Sequence, residues 1–541
     1  MNSKYKLILF VVVLLSLAGT SCKRSLEETN SNPNRPTVVD PEYLLNSSIF
    51  NTMNLFGGAM RREVFSHYSN YVSVGGGQFQ RYGYFSSNTN YWRTAYVNCL
   101  QPVHQVQVNF GDNPNYKNRV AIAKIMEAYI YSEMVAIWGS LPKSQALNGT
   151  DIVAYDKEED IYNSLLDDLK TAAAAITLTG DTYTGNSDAI YAGNLLKWKK
   201  FANTLRLRIA MRISNPSPNG NPVKAQQVAS EVLADENNTI LTIDETAHSF
   251  WGTTSTTWSY FYDYNVYKQS SNLSSLNVVE ESLIQHLQPY NDPRLKVYAK
   301  PVTQGPMKDK YWGQPKTSQL PPGVSMPNNP HANRAQLDYS LVGDFFSKPD
   351  AEYVLLSVEE ANFLKAEAAL KGWGGSKTAE QYYVQGITTS MQKYGLPPTE
   401  ISSYLSTPGV QWNTAVDTTG RGAQFTDYLG ITTSAILVKD PFRQIIMQEW
   451  LAMYYNALDA WNLIRRTQVL EFPPHFNPDG TSPTSVWGFA YIPQRLIYPD
   501  VEYQVNKDEL TKALAWLGGP DQMDTKLWFA LPTKKNPYLP H

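Results

Sequence analysis

The stretch HSFWGTTSTTWSYFYDYNVY, residues 248–267, carries the densest group of side chains in the chain that could act on a ligand. If the backbone there is extended, Trp258, Tyr260, Tyr262 and Tyr264 share one side, because strand side chains alternate with a period of two. Trp251 lies close by in sequence. Such a row can stack on the apolar C–H faces of sugar rings, while tyrosine hydroxyls, Asp263 and Asn265 bond sugar hydroxyls. The same row could instead pack its loop onto the body of the protein as a half-buried strand. Two further candidates are Tyr82 with Tyr84, which follow three glycines in GGGQFQRYGYFSS (residues 75–87), and Trp312 in KDKYWGQP. Loop packing accounts for each of these as well as binding does. Trp92 and Tyr96 are spaced as a helical stripe and belong to a core.

Catalysis finds little support. A glycosidase needs two carboxylates across the scissile bond, roughly 5 or 6.5–9.5 Å apart. The adjacent acids Glu280-Glu281 and Glu359-Glu360 fall on expected helices, where neighbours diverge around the axis. No HExxH, GxSxG, P-loop, CxxC or GxGxxG pattern occurs, and the 7 histidines are scattered. No spacing resembles a calcium loop, so neither a metal nor a cofactor is expected. The 46 basic and 49 acidic residues, with no basic run, argue against a nucleic-acid partner. At 42% apolar the 541-residue chain buries a large core. Its 35 tyrosines suit a surface that binds while staying wet.

The N-terminus sets the compartment. Lys4 and Lys6 precede the apolar run Leu7–Leu17, which is shorter than the ~20 residues a membrane-spanning helix needs. A signal peptide over 1–21 is the better reading. Gly19-Thr20-Ser21-Cys22 resembles a bacterial lipobox, with Gly19 where Leu is commoner. Cys22 is therefore the expected lipidation site, and residues 22–40, Asn/Pro-rich with Glu27-Glu28, read as a flexible tether. Acidic residues behind a lipidated Cys resemble the surface-export signal of some Gram-negative lipoproteins. Cys99, the other cysteine, sits in an apolar helical pattern and is expected to be a buried small hydrophobe.

These candidates need a scaffold, and five segments read as capped helices. Residues 118–138 are apolar nearly all round, hence buried, and stop at Gly139 and Pro142. Residues 157–176 open with Asp156 and Glu159 in capping-box spacing and place Ile161, Leu165, Leu169, Ala172 and Ile176 on one stripe. Residues 195–213 carry Leu195, Trp198, Ala202, Leu205 and Ile209. Ser357 and Glu360 form a second capping box before VEEANFLKAEAALKGW. Asp440 and Pro441 open FRQIIMQEWLAMYYNALDAWNLIRR. Loop-rich stretches fall at 75–92, 244–272, 300–350, 396–438 and 470–503. The expectation is a mainly α protein, with tetratricopeptide-like helix pairs forming a scaffold, long loop-rich insertions and little β, although no 34-residue period is visible.

Several segments together resemble the SusD/RagB family of nutrient-binding outer-membrane lipoproteins, nearest to its SusD-like branch. They are NSNPNRPTVVDPEYLL, WGSLPKSQAL, LKWKKFANTLRLRIAMRI, NDPRLKVYAKP, LLSVEEANFLKAEAALKGW, QEWLAMYYNALDAWNLIRRT and RLIYPDVEYQVNK with DTKLWFALP, in order over about residues 20–531. Most of these motif residues read as scaffold. Trp198, Trp450, Trp461 and Trp528 are expected in the core, Arg206, Arg465 and Arg466 on carbonyls or carboxylates, and Asn291-Asp292-Pro293 in a turn. The resemblance implies one SusD-like α-helical domain over 41–541, facing the cell exterior from the outer membrane. Its partner would be a SusC-like TonB-dependent transporter, to which it delivers an oligosaccharide or, in some relatives, a peptide, without catalysis. A protein-interaction scaffold without a small ligand is the competing class.

Overall fold

A computed structural model describes residues 38–74, 89–150, 152–269, 277–305, 307–314, 336–414, 424–426, 432–434, 440–470, 472 and 492–532. Cys22, the signal peptide, most of the tether, and Tyr82 with Tyr84 lie outside them.

The principal helices are α1 (Pro41–Thr52), α2 (Gln101–Phe110), α3 (Lys117–Trp138), α4 (Glu158–Ala175), α5 (Leu195–Arg212), α6 (Pro222–Leu233), α7 (Val358–Leu370), α8 (Ala379–Gln392), α9 (Pro441–Ala452) and α10 (Ala457–Thr467). Successive helices lie against one another: α2 touches α1 and α3, α3 packs on α4, α4 on α5 and α5 on α6. In the second half α7 packs on α8, and α9 rests on both. This is the expected scaffold of helix pairs. The strands among the described residues are short and antiparallel: β1 (Val72–Val74) pairs with β3 (Asn277–Val279), β2 (Ala247–Phe250) with β4 (Glu352–Leu356), and β5 (Gln424–Thr426) with β6 (Thr432–Ser434). No helix among the described residues is long and apolar enough to cross a membrane.

Helix α3 has no polar stripe because it is surrounded; Ile122, Ile125, Met126, Ile130, Met134, Ile137 and Trp138 are all inaccessible to solvent. Gly139 ends it at φ +86°, a backbone conformation a side chain disfavours, and a Cβ there would press on Leu527 at 2.8 Å. The stripe of α4 is buried as read, but its cap is not Asp156. The helix begins at Glu158 with Lys157 in the cap position and no side-chain cap bond. Asp156 is occupied one turn earlier, where it accepts hydrogen bonds from the backbone N–H groups of Lys143 and Ser144 and from the Ser144 hydroxyl. At α7 half of the expected box forms. Ser357 Oγ accepts from the Glu360 N–H at 3.2 Å, while the Glu360 carboxylate turns away to an arginine of α5. A complete capping box forms instead at Thr378 and Gln381, at the start of α8. Asp440 caps α9 as expected, but the long run after it breaks at Met453–Tyr455 and restarts when Asn456 caps α10.

The seam between the two halves is held by buried charge. Arg208 of α5 donates to both Glu360 oxygens, at 2.5 and 2.7 Å, and to the Leu355 carbonyl at 2.7 Å. Its third nitrogen lies 3.0 Å from Asp459 of α10, which also pairs with Arg212 at 2.5 Å. Glu133 of α3 stands 3.8 Å from Arg208. Next to it, Arg466 of α10 grips Glu367 of α7 through two bonds of 2.8 and 2.6 Å. Arg208, Arg212, Glu360, Asp459 and Arg466, with Glu449, line a cavity of about 30 Å³, large enough to admit water. Burial raises Glu133 to about 8, with Asp459 adding to the effect, and raises Glu360 to about 7.

Candidate functional site

Residues 253–268 project from the body between β2 and β3 and are fixed from beneath. Ser259 is the pivot. Its hydroxyl donates to the Lys348 carbonyl at 2.6 Å and accepts from the Tyr262 N–H at 3.3 Å, while its own N–H reaches the Pro349 carbonyl. That cap starts a helical turn at Tyr260–Tyr262, which continues as a wider π-helical turn over Asp263–Tyr267. On the inner side Phe261 is 5% exposed beneath the Arg61 guanidinium, 4.9 Å from its ring. Buried Asn265 exchanges hydrogen bonds with Asn277, donating to its carbonyl at 3.0 Å and accepting from its N–H at 2.9 Å.

The helical turn overturns the extended row. With the backbone coiled, residues four or five apart share a face instead of residues two apart. Trp258, Tyr262 and Tyr267 come together: Trp258 lies 5.1 Å from Tyr262, edge to face, and 4.9 Å from Tyr267, tilted. Trp258 and Tyr262 are half-buried and Tyr267 is 61% exposed. Tyr260 and Tyr264 turn toward the body. Tyr260 leans on Trp251, 5.8 Å away, and over Gly58, where a Cβ would meet its ring at 2.6 Å. Tyr264 lies between the Arg62 guanidinium at 3.5 Å and Lys268 at 4.7 Å. Trp251 is 5% exposed and packs as core, so it is not displayed.

The rim of the ring cluster is polar. Trp258 donates its indole N–H to the Thr253 carbonyl at 3.0 Å, Thr254 and Thr257 hydroxyls meet at 2.8 Å, and Lys268 pairs with Asp263 at 2.5 Å. Three rings with edges and faces reaching solvent, ringed by hydroxyls and one ion pair, can cover the apolar face of a sugar and bond its hydroxyls.

Trp312 behaves differently. It is half-buried against Tyr339, 5.1 Å away, in a small satellite core with Val278 and Leu341. Tyr267 and Phe250, the latter 56% exposed at the end of β2, are exposed aromatics outside the row expected from alternation. Both could have been reached, Tyr267 by helical spacing from Trp258 and Tyr262, and Phe250 by alternation from His248.

The scaffold assignments hold. Cys99 is fully buried, and burial pushes its thiol up to about 12. Trp198, Trp450 and Trp461 are fully buried, Trp92 is 5% exposed, and Trp528 and Tyr96 pack partly buried on the core. Arg206 pairs with Glu231, and Arg465 donates to the carbonyls of Gln494 and Ala136. Asn291 takes the left-handed turn conformation at φ +51°, and Asp292 forms a fully buried ion pair with Arg294. Among the described residues no group of three or more His, Cys, Asp or Glu is placed to hold a metal ion.

A family model named SusD-like_2, described as starch-binding and associating with the outer membrane, matches residues 33–499. Solved structures with the same fold include a chitin-binding protein, 24% identical over 91% of this chain and 100% of its own, at a TM-score of 0.71. A chitin-binding SusD homolog from Flavobacterium johnsoniae is 21% identical over 90% of this chain and 98% of its own, also at 0.71. A SusD homolog from Bacteroides uniformis is 23% identical over 91% and 98%, at 0.72. No curated protein matches the chain.

Proposed function

The chain belongs to the SusD-like family of starch-binding, outer-membrane-associated proteins, and from that premise we propose that it captures a glycan on the Trp258, Tyr262 and Tyr267 cluster and delivers it to a TonB-dependent, SusC-like transporter. The observation carrying this reading is the cluster itself: three neighbouring aromatic rings held outward by a buried cap, where most other large rings among the described residues are buried. Chitin-binding neighbours of the same fold support a glycan over a peptide. Residues 1–21 act as the signal peptide, Cys22 carries the lipid, 22–40 form the tether, and the body over 41–541 faces the exterior. The protein performs no chemistry on its ligand.

The energetics suit delivery. Covering half of an aromatic side chain of ~150–250 Å² at ~25 cal/mol/Å² gives roughly 2–3 kcal/mol gross. Three rings give roughly 6–9 kcal/mol, against an association cost of at least ~4 kcal/mol. The remainder corresponds to capture on the order of millimolar, weak enough for release to a transporter.

Calorimetric titration with maltohexaose and chitohexaose tests the reading. Binding of either that is lost in Trp258→Ala, at unchanged Tm, supports it. No heat with either, or full binding by the variant, contradicts it. Fatty-acid labelling of the expressed protein that disappears in Cys22→Ala tests the anchor.

A further inference from the structure

On β2 the side chains of Ala247 and Ser249 are buried, while His248 and Phe250 face outward. Phe250 is 56% exposed, and the His248 ring stands beside it at 4.8 Å. Directly across the ladder from Phe250 is Glu352 of β4. One oxygen of Glu352 meets His248 Nδ1 at 3.1 Å and the other meets Lys393 Nζ at 2.6 Å. Burial opposes ionisation of this carboxyl, yet Lys393 and His248 together hold it down at about 2. The anion fixes the imidazole: Nδ1 donates to Glu352, which orients the ring and leaves Nε2 for another partner. The result is an exposed aromatic face flanked by an oriented imidazole, on a rigid two-stranded ladder.

This face is close to the ring cluster. The Trp251 N–H bonds the Ala351 carbonyl and the Ser259 N–H bonds the Pro349 carbonyl, so both ends of the 252–258 loop are tied to one short stretch of backbone. Phe250 sits opposite Glu352 and Ser259 opposite Pro349, an offset of at most ~11 Å along three residues. A chain of several sugar rings can run from one platform to the other.

We propose that Phe250, with His248 oriented by Glu352, is a second sugar-binding subsite that continues the Trp258 cluster, so that the protein selects oligosaccharides over mono- and disaccharides. The proposal rests on the glycan-capture reading above and adds a chain-length rule to it. An exposed ring here contributes stacking, and the His248 Nε2 accepts a hydrogen bond from a sugar hydroxyl.

The test compares a disaccharide and a hexasaccharide of whichever series, malto- or chito-, the full chain binds. Phe250→Ala is expected to weaken the hexasaccharide by about tenfold or more and leave the disaccharide unchanged, with Tm unaltered because the ring is exposed. His248→Gln, which keeps the platform, is expected to weaken the hexasaccharide less than Phe250→Ala does. Trp258→Ala is expected to weaken both lengths. Equal affinity of wild type and Phe250→Ala for the hexasaccharide, while Trp258→Ala loses it, overturns the second subsite and spares the first. Failure of the wild type to bind either length overturns both.

Discussion

Replacing Glu367 by Gln should destabilise the protein through a group that never meets a ligand. Glu367 is inaccessible to solvent and receives both arms of Arg466, itself 4% exposed, while Lys371 reaches it from one turn away at 3.7 Å. Gln keeps the shape and removes the charge, leaving the guanidinium buried without its bidentate partner. Breaking one side of such a pair costs about 3–5 kcal/mol. Unfolding entropy near 60 °C is about 2.1 cal/mol/K per residue, or roughly 1 kcal/mol/K for 541 residues, so Tm should fall by about 3–5 °C. The double variant Glu367→Leu with Arg466→Met removes both charges and should recover most of the loss, because apolar residues of similar volume can replace a buried pair. Scanning calorimetry on the three proteins at pH 7 measures this. A shift under about 1 °C for Glu367→Gln, or a double variant no more stable than the single, would refute the claim that this pair fastens α10 to α7.

Burial raises Glu133 to about 8 and both Glu360 and Glu158 to about 7, well above the ordinary carboxylate value of 4.5. The folded state therefore holds protons that the unfolded chain has released, and stability should decline as pH rises from about 4.5 to 8 and level off above that; calorimetric Tm across that range checks it, and Glu133→Gln should flatten the slope. Gly58→Ala places a methyl against Tyr260 and Trp251, so it should cost about 1–3 kcal/mol and weaken hexasaccharide binding by displacing the 258–267 turn; a variant with native Tm and native affinity would contradict that packing. Ser259→Ala removes the cap and the bond to the Lys348 carbonyl, and should weaken glycan binding with every ring still present, measured by the same titration.

The scaffold was legible because its periodicities are long and its constraints local. The all-apolar α3, the stripe of α4 and the Asp440-Pro441 start of α9 each follow from a helix that must bury a face or satisfy its first N–H groups. What misled were polar residues with two possible partners. Asp156 and Glu360 have capping-box spacing, but a nearby turn claimed the first and Arg208 the second. That competition is decided by residues distant in sequence. The arginines that bind the two halves, Arg208 and Arg212, sit two and six positions after Arg206 on the same helix, and spacing alone does not separate them. The aromatic segment stands out in composition, but its conformation does not follow from alternation. Alternation assigned Trp258, Tyr260, Tyr262 and Tyr264 to one face, whereas the Ser259 cap coils the segment and splits them into outward and inward pairs. Only the pairing of Asn265 with Asn277 and the seating of Phe261 under Arg61 explain why the coil faces as it does.

The most direct measurement is a crystal structure of the protein with the hexasaccharide that binds it in solution. A sugar ring seated on Trp258, with carbon atoms within about 4 Å of the indole and contacts to Tyr262 or Tyr267, is the predicted result. A sugar bound elsewhere on the protein, with the Trp258 cluster left bare, would contradict capture by these rings.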